Sequence, residues 1–547
     1  MLTVEFLGGT RTVTGSSFLV KAGETSLLVD CGLFQGGSQL ESRNRQTRVY
    51  RPHEIDHLVL THAHIDHSGL IPKLVKDGFR GRITASRQTL ELCEVMLTDS
   101  AHIQEMDALW QNRQNRRQGR RVVEPLYTVS DTRNSLKYFQ AMPDGERVRL
   151  TDDMEVRLQN AGHILGSSIV ELWVREGGRA LKMVFSGDLG RRGQMLVRDP
   201  EIMREADFLF VESTYGDRSH KSTADSEIEL LDAISSAVRE GEKVIIPAFA
   251  VERTQELIYT LFKLQRRGLL PDIPIYLDSP LAIAVTKIFR AHRDCFDEEM
   301  RQLIASGLDP LDLPRLTFAE SMEESTAINR SQQPAIIIAG SGMCNAGRIK
   351  HHLKHNLWRP GASIVFVGYQ ADGTPGRQII EGAKKVKLLG ESVVVKANIF
   401  TIGGFSAHAD QHELLQWVSN FGNPKLQVFV VHGEEKASLA FARLLREKLH
   451  LSVRVPRFME LYQLSVDGEP EMEAVATHAP LPEAAESGRG LLHTLLRMEK
   501  QLKRIKDWVL STKEDAEALD EHNQRRLDEI NRKLEELSRQ LVYIDKR

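Results

Sequence analysis

Polar and apolar residues alternate through LTVEFLG at 2–8, and a second short β-rich run, SSFLVKAG, follows at 16–23. A third run, SLLVDCG at 26–32, ends on Asp30 and a glycine. A period of two marks half-buried strands, so the chain opens with a sheet. Another strand-like run at 57–61 leads into HAHIDHSG, and SGLIPKLVKDG at 68–78 reads as a short helix closed by Gly78. Residues 88–118 carry helical spacing and finish in the basic stretch RQNRRQGRR. Alternation resumes at Met154–Leu158 and delivers AGHILGSS with His163; ALKMVFSGDLG then ends a strand near Asp188, and DFLFVESTYGD ends one at Glu212. Several predicted strand ends therefore present polar side chains.

From about residue 218 the pattern becomes strand followed by helix, in KVIIPAFAVERTQELIYTLF, PIYLDSPLAIAVTKIF, PAIIIAGSGMCNAGRIKHHL and SIVFVGYQADGTPGRQIIEG. Repeated βα units predict a parallel sheet with helices packed on it. Ligand-type residues return afterwards in GGFSAHAD, with His408, and LQVFVVHGEE, with His432. The parallel-sheet segment is therefore expected to be an insertion. The expected division is 1–217 with 396–475 as one domain, 218–395 as the insert, and 488–547 as a helical extension. In that extension Leu491, Leu495, Met498, Leu502, Ile505 and Val509 form one stripe, and Leu527, Ile530, Leu534, Leu537, Leu541 and Ile544 a second. A helical hairpin or coiled coil fits this spacing as well as a tail packed on its own body.

The chemistry concentrates in His62, His64, Asp66 and His67, four metal-binding side chains within six positions. In an extended segment His62 and His64 share a face, leaving Asp66 and His67 to serve a neighbouring site. Imidazoles with carboxylates suit zinc. The four cysteines are widely spaced and contain no CxxC pair, which argues against both a thiolate metal site and a disulfide framework and fits a reducing cytoplasm. A chain of 547 residues with 41% hydrophobic and 27% charged residues can bury a large core. No apolar run approaches a membrane-spanning length, and the start lacks the pattern of a secretion signal. The net formal charge of −3 does not advertise a polyanion partner, so any nucleic-acid site must be a local basic surface.

The set HxHxDH, His163, Asp188, Glu212, His408 and His432 resembles the β-CASP branch of the metallo-β-lactamase fold, across about residues 1–470. The segments IIAGSGMCNAGRIKHHLKH and FVGYQADGTPGR look like those of bacterial and archaeal nucleases related to the 73-kDa subunit of the cleavage and polyadenylation specificity factor. The resemblance implies an α/β chain, with an αββα metallo-β-lactamase sandwich carrying an inserted parallel-sheet β-CASP domain. It also implies two Zn2+ ions, one on His62, His64 and His163, the other on Asp66, His67 and His432, with Asp188 bridging. Asp30 matches the family's orienting carboxylate. Asp66, Glu212 and His408 are the implied catalytic residues, with His408 as general acid and Glu212 keeping it charged. Histidine at position 432 resembles the RNA-cutting branch, implying cleavage of single-stranded RNA to 5′-phosphate and 3′-hydroxyl ends.

Ser341, Gly342 and Arg348, with Gly373, Thr374 and Arg377, lie at predicted βα turns where backbone N–H groups can hold phosphates. Arg113, Arg116, Arg117, Arg120 and Arg121 offer a second basic stretch. Two other functions remain open from sequence: a small-ester or thioester hydrolase on the same fold, and a non-catalytic RNA-binding scaffold. Internal and 5′-end cutting are equally compatible with these residues. A homo-oligomer, most simply a dimer, is expected through the terminal helices.

Overall fold

The computed structural model describes residues 2–46, 50–176, 179–371, 373–465 and 472–477. The expected helical extension at 488–547 lies outside the described residues. Two mixed sheets face each other. The first runs in the order Met472–Thr477, Glu460–Leu464, Leu2–Gly8, Ser17–Ala22, Thr25–Val29, His57–Val59, Arg82–Ala85 and Phe139–Ala141. The second runs Ser452–Arg454, Gln427–Val430, Phe208–Val211, Arg179–Phe185, Ser168–Glu176, Met154–Asn160 and Val148–Arg149. Alternation in LTVEFLG becomes burial on alternate positions, with Leu2, Val4 and Phe6 turned inward.

The aromatic residues of the inward faces fill the space between the sheets. Phe185 stacks on Phe210 at 4.1 Å and Phe210 on Phe429 at 4.9 Å, while Phe6 approaches Phe429 at 5.1 Å. Helices cover the outer faces. Gln411–Val418 and Glu435–Leu449 bury Trp417, Phe441 and Leu445 against the second sheet. Ile71–Lys76 and the long Arg87–Arg117 pack on the first. The result is the expected four-layer αββα sandwich.

Between Glu212 and His408 the chain leaves this sandwich to build a third sheet. It runs Leu316–Phe318, Ile275–Leu277, Ile336–Ala339, Val244–Pro247, Ser363–Phe366 and Asn398–Thr401, with every pair parallel. The central runs VIIP and IIIA are buried throughout, as a parallel sheet covered on both faces requires. The last strand, Asn398–Thr401, belongs to this inserted sheet, so the chain returns to the sandwich a few residues later than the expected boundary at 395. A hairpin, Lys385–Leu388 with Glu391–Val394, is appended beside it.

Candidate metal centre

The ligand-type residues collect at one edge of the sandwich because they follow strands that point the same way. Asp30 follows Thr25–Val29 and His62 follows His57–Val59, two parallel neighbours of the first sheet. Asp188, Glu212 and His432 follow Arg179–Phe185, Phe208–Val211 and Gln427–Val430, parallel neighbours of the second. His163 follows Met154–Asn160. After the extended His62–His64 stretch, one helical turn, Ile65–Ser68, swings Asp66 and His67 to a different position. Two of these residues, Asp30 (φ 60°) and His432 (φ 43°), adopt a left-handed backbone rare for side chains other than glycine.

Two ligand groups share one carboxylate. In the first, His64 Nδ1 lies 3.1 Å from His62 Nε2 and 3.2 Å from His163 Nε2. Asp188 Oδ2 completes it at 3.5 Å from His62 and 3.6 Å from His163. In the second, Asp188 Oδ1 is 3.3 Å from His67 Nε2 and 3.5 Å from His432 Nε2, with Asp66 3.9 Å from His432. Ligand bonds of about 2.0–2.2 Å around a tetrahedral zinc put donor atoms about 3.3–3.6 Å apart, so the observed spacings fit such an ion with little adjustment. Asp188 Oδ1 and His67 Nε2 are buried without hydrogen-bond partners, the condition a cation would relieve.

Neighbouring groups fix the rings. Asp30 Oδ2 accepts from His67 Nδ1 at 2.7 Å and from the Thr61 hydroxyl at 2.9 Å, and the Thr61 N–H reaches Asp30 Oδ1. Thr61 Oγ1 meets His62 Nδ1 at 3.0 Å, and Ser16 Oγ meets His432 Nδ1 at 2.6 Å. Such partners set ring orientation and tautomer. Sequence reasoning found Asp30 but missed Ser16 and Thr61; Thr61 was within view as the residue immediately before His62.

Burial holds His62 and His163 well below the ordinary imidazole pKa and brings His64 and His432 to about 3, so their lone pairs are open at neutral pH. Burial pushes Asp66 up to about 6. Burial opposes ionisation of Asp188 as well, but His432, His67 and His62 outweigh it and hold the carboxylate well below its usual range.

A third group adjoins these two. His408 Nδ1 lies 3.1 Å from Glu212 Oε1 and 3.9 Å from Asp188 Oδ2. The fully buried Glu212 is clamped by the Leu189 N–H at 2.7 Å and the Thr214 N–H at 3.2 Å. Burial disfavours charge on His408, but Glu212 more than offsets it and raises the pKa to about 9. The His408 side chain is still 21% exposed, so a substrate can reach it.

The six expected phosphate-binding positions do not join this cluster as one unit. The Arg348 guanidinium is engaged within the insert, with Asp278 at 2.6 Å and the carbonyls of Ala319 and Glu320 at 2.9 Å. Ser341 Oγ donates to Asn345 and accepts the Ala346 N–H, shaping its turn. A Cβ on Gly342 would stand 2.7 Å from the Phe249 ring. Thr374 caps the helix Pro375–Ile380 by accepting the Arg377 N–H, Gly373 (φ 80°) makes the preceding turn, and Arg377 pairs with Glu381. The five arginines from 113 to 121 lie exposed at the end of the long helix.

A four-layer sandwich that gathers six ligand-type imidazoles and carboxylates around Asp188 defines a metal-dependent hydrolase of the metallo-β-lactamase superfamily. The superfamily's family model matches residues 10–248, a Beta-Casp domain matches 254–379, and a Zn-dependent metallo-hydrolase RNA specificity domain matches 392–456. Ribonuclease TTHA0252 from Thermus thermophilus is 40% identical over 80% of this chain and 94% of its own length. Transcription termination factor FttA is 31% identical in Methanosarcina mazei, over 84% of this chain and 71% of the relative, and 33% identical in Pyrococcus abyssi, over 84% and 70%. The chain belongs to the β-CASP family of metallo-β-lactamase-fold ribonucleases.

Proposed function

We propose that this chain is a zinc-dependent ribonuclease that hydrolyses phosphodiester bonds of single-stranded RNA in cytoplasmic RNA processing or decay. The products are 5′-phosphate and 3′-hydroxyl ends. The observation that carries this reading is the Asp188 carboxylate, which offers one oxygen to each ligand group beside the His408–Glu212 pair.

Two zinc ions bound by these groups would neutralise the anionic phosphate oxygens and lower the pKa of an attacking water. The chain's own residues complete the chemistry. Asp66, 3.9 Å from His432, is the carboxylate placed to accept a proton from the nucleophile. His408, charged beside Glu212, donates a proton to the departing 3′ oxygen, which leaves poorly as an alkoxide. The leaving group therefore departs on the His408 side. Loss of any of these residues would favour a scaffold reading, and all are present.

RNA labelled separately at each end, carrying a 5′-monophosphate or triphosphate, tests the proposal alongside matched DNA. Zinc-dependent cleavage of RNA with ligatable 5′-phosphate products is expected, and fragment sizes distinguish internal from 5′-end cutting. Preferential hydrolysis of small esters or thioesters, with RNA left intact, would overturn it.

A further inference from the structure

The C-terminal ends of the inserted strands face the sandwich. Glu252 follows Val244–Pro247 and accepts from Gln194 at 3.4 Å, and Tyr369 follows Ser363–Phe366 and bonds Glu434. The opposite edge of that sheet is turned away from the metal centre, and there the helix Ile349–Asn356 runs out into Trp358, which is 50% exposed. Arg359 lies over the indole at 5.6 Å and is itself locked to Glu242 by hydrogen bonds of 2.6 and 2.7 Å. The ring is therefore backed on one side by a fixed cation. Beside it opens a cavity of about 160 Å³ whose polar wall includes Lys243, Asn329, Gln332 and His355.

The segment that carries Trp358 is cationic in sequence, while Glu242 from a neighbouring element lines the cavity beside Arg359. Residues 343–400 hold nine Lys or Arg against three Asp or Glu, in a chain of net charge −3. Lys350 and Lys354 lie four residues apart on the helix, which ends two residues before Trp358. The adjoining hairpin exposes Lys385 and Lys387, and Lys396 is tied beside Trp358 by its N–H to the Leu357 carbonyl. Lys354 pairs with Glu391, whereas Lys385, Lys387 and Lys396 have no carboxylate partner among the described residues. An exposed aromatic plate next to a polar cavity, with lysines on the flanking helix and hairpin, is a combination that holds single strands: bases stack on the ring and phosphates meet the cations. A second copy of the chain is a poorer occupant, since self-pairing would bring the same lysines face to face.

We propose that Trp358, its cavity and the lysines of the flanking helix and hairpin form a distal binding site for single-stranded RNA. It holds a part of the strand remote from the bond being cut. The inference rests on RNA being the substrate, and it adds a length dependence: only strands that reach from the centre to the far edge of the insert gain from it.

The test measures binding and cleavage of a 6-nucleotide and a 25-nucleotide single-stranded RNA by the full chain and by Trp358→Ala, Trp358→Phe and Lys385→Glu/Lys387→Glu. For the longer RNA, Trp358→Ala is expected to weaken Kd and raise KM about tenfold, with Trp358→Phe retaining most of the affinity. The lysine double variant should also weaken binding and flatten its dependence on salt. Cleavage of the short RNA should stay at the parent rate in all three. Equal losses on both lengths, or no loss on the longer one, would overturn the distal site. A drop in solution mass with Trp358→Ala would assign the face to contacts between copies instead. Failure of the parent protein to cut or bind either RNA would refute the substrate reading itself, a result distinct from these.

Discussion

Two residues near the centre differ in what they hold, and their loss should differ accordingly. His64 stands 3.1 and 3.2 Å from its fellow ligands, so His64→Ala is expected to lower zinc content and activity together, as metal analysis and an RNA assay would show. His408 sits outside the two ligand groups, and His408→Ala should keep its zinc while slowing the chemical step about 10²–10⁴-fold. A substrate with a better leaving group should recover part of that loss. The pH profile offers a separate check. His408 must be protonated to act, so activity falls as pH rises through its pKa near 9. Glu212→Gln removes the charge that raises this pKa, so the alkaline fall should move to lower pH. The clustering of the candidate ligands was readable in sequence because imidazoles and carboxylates at successive strand ends are an uncommon pattern. Ser16 and Thr61 were not, because hydroxyls in turns are ordinary, and the pairing of Arg348 with Asp278 was hidden by the 70 positions between them.

Loops packed without clearance set the positions of these side chains. A Cβ on Gly190 would stand 1.6 Å from the Gly162 carbonyl oxygen, and Gly190 also bridges to the backbone of His408. Gly190→Ala must therefore part the loops carrying His163, Asp188 and His408, although it alters no ligand. Reduced zinc content and a thermal stability lower by about 1–3 kcal/mol are expected, checked by metal analysis and melting. The strands that lead into these loops follow the sequence pattern closely, since each buries an alternating or continuous apolar run. Asn398–Thr401 escaped because a four-residue strand, partly exposed and joined to the insert's edge, carries too little periodicity to announce its sheet.

For the chain as a whole, sequence located the insertion through the return of His408 and His432 after a run of βα units. It could not show that the insert's strand ends face the sandwich, because that orientation depends on contacts such as Gln194 with Glu252, 58 positions apart. The apolar stripes beyond residue 488 supply the remaining expectation: a chain ending near 480 should show a lower mass by light scattering if those stripes join copies. The ligand order along the chain has a temporal consequence as well. His62 is made early, but the second ligand group waits for His432, on the far side of the whole insertion. A nascent fragment short of that histidine lacks the second ligand group, so the complete centre can assemble only after the whole insertion has been made.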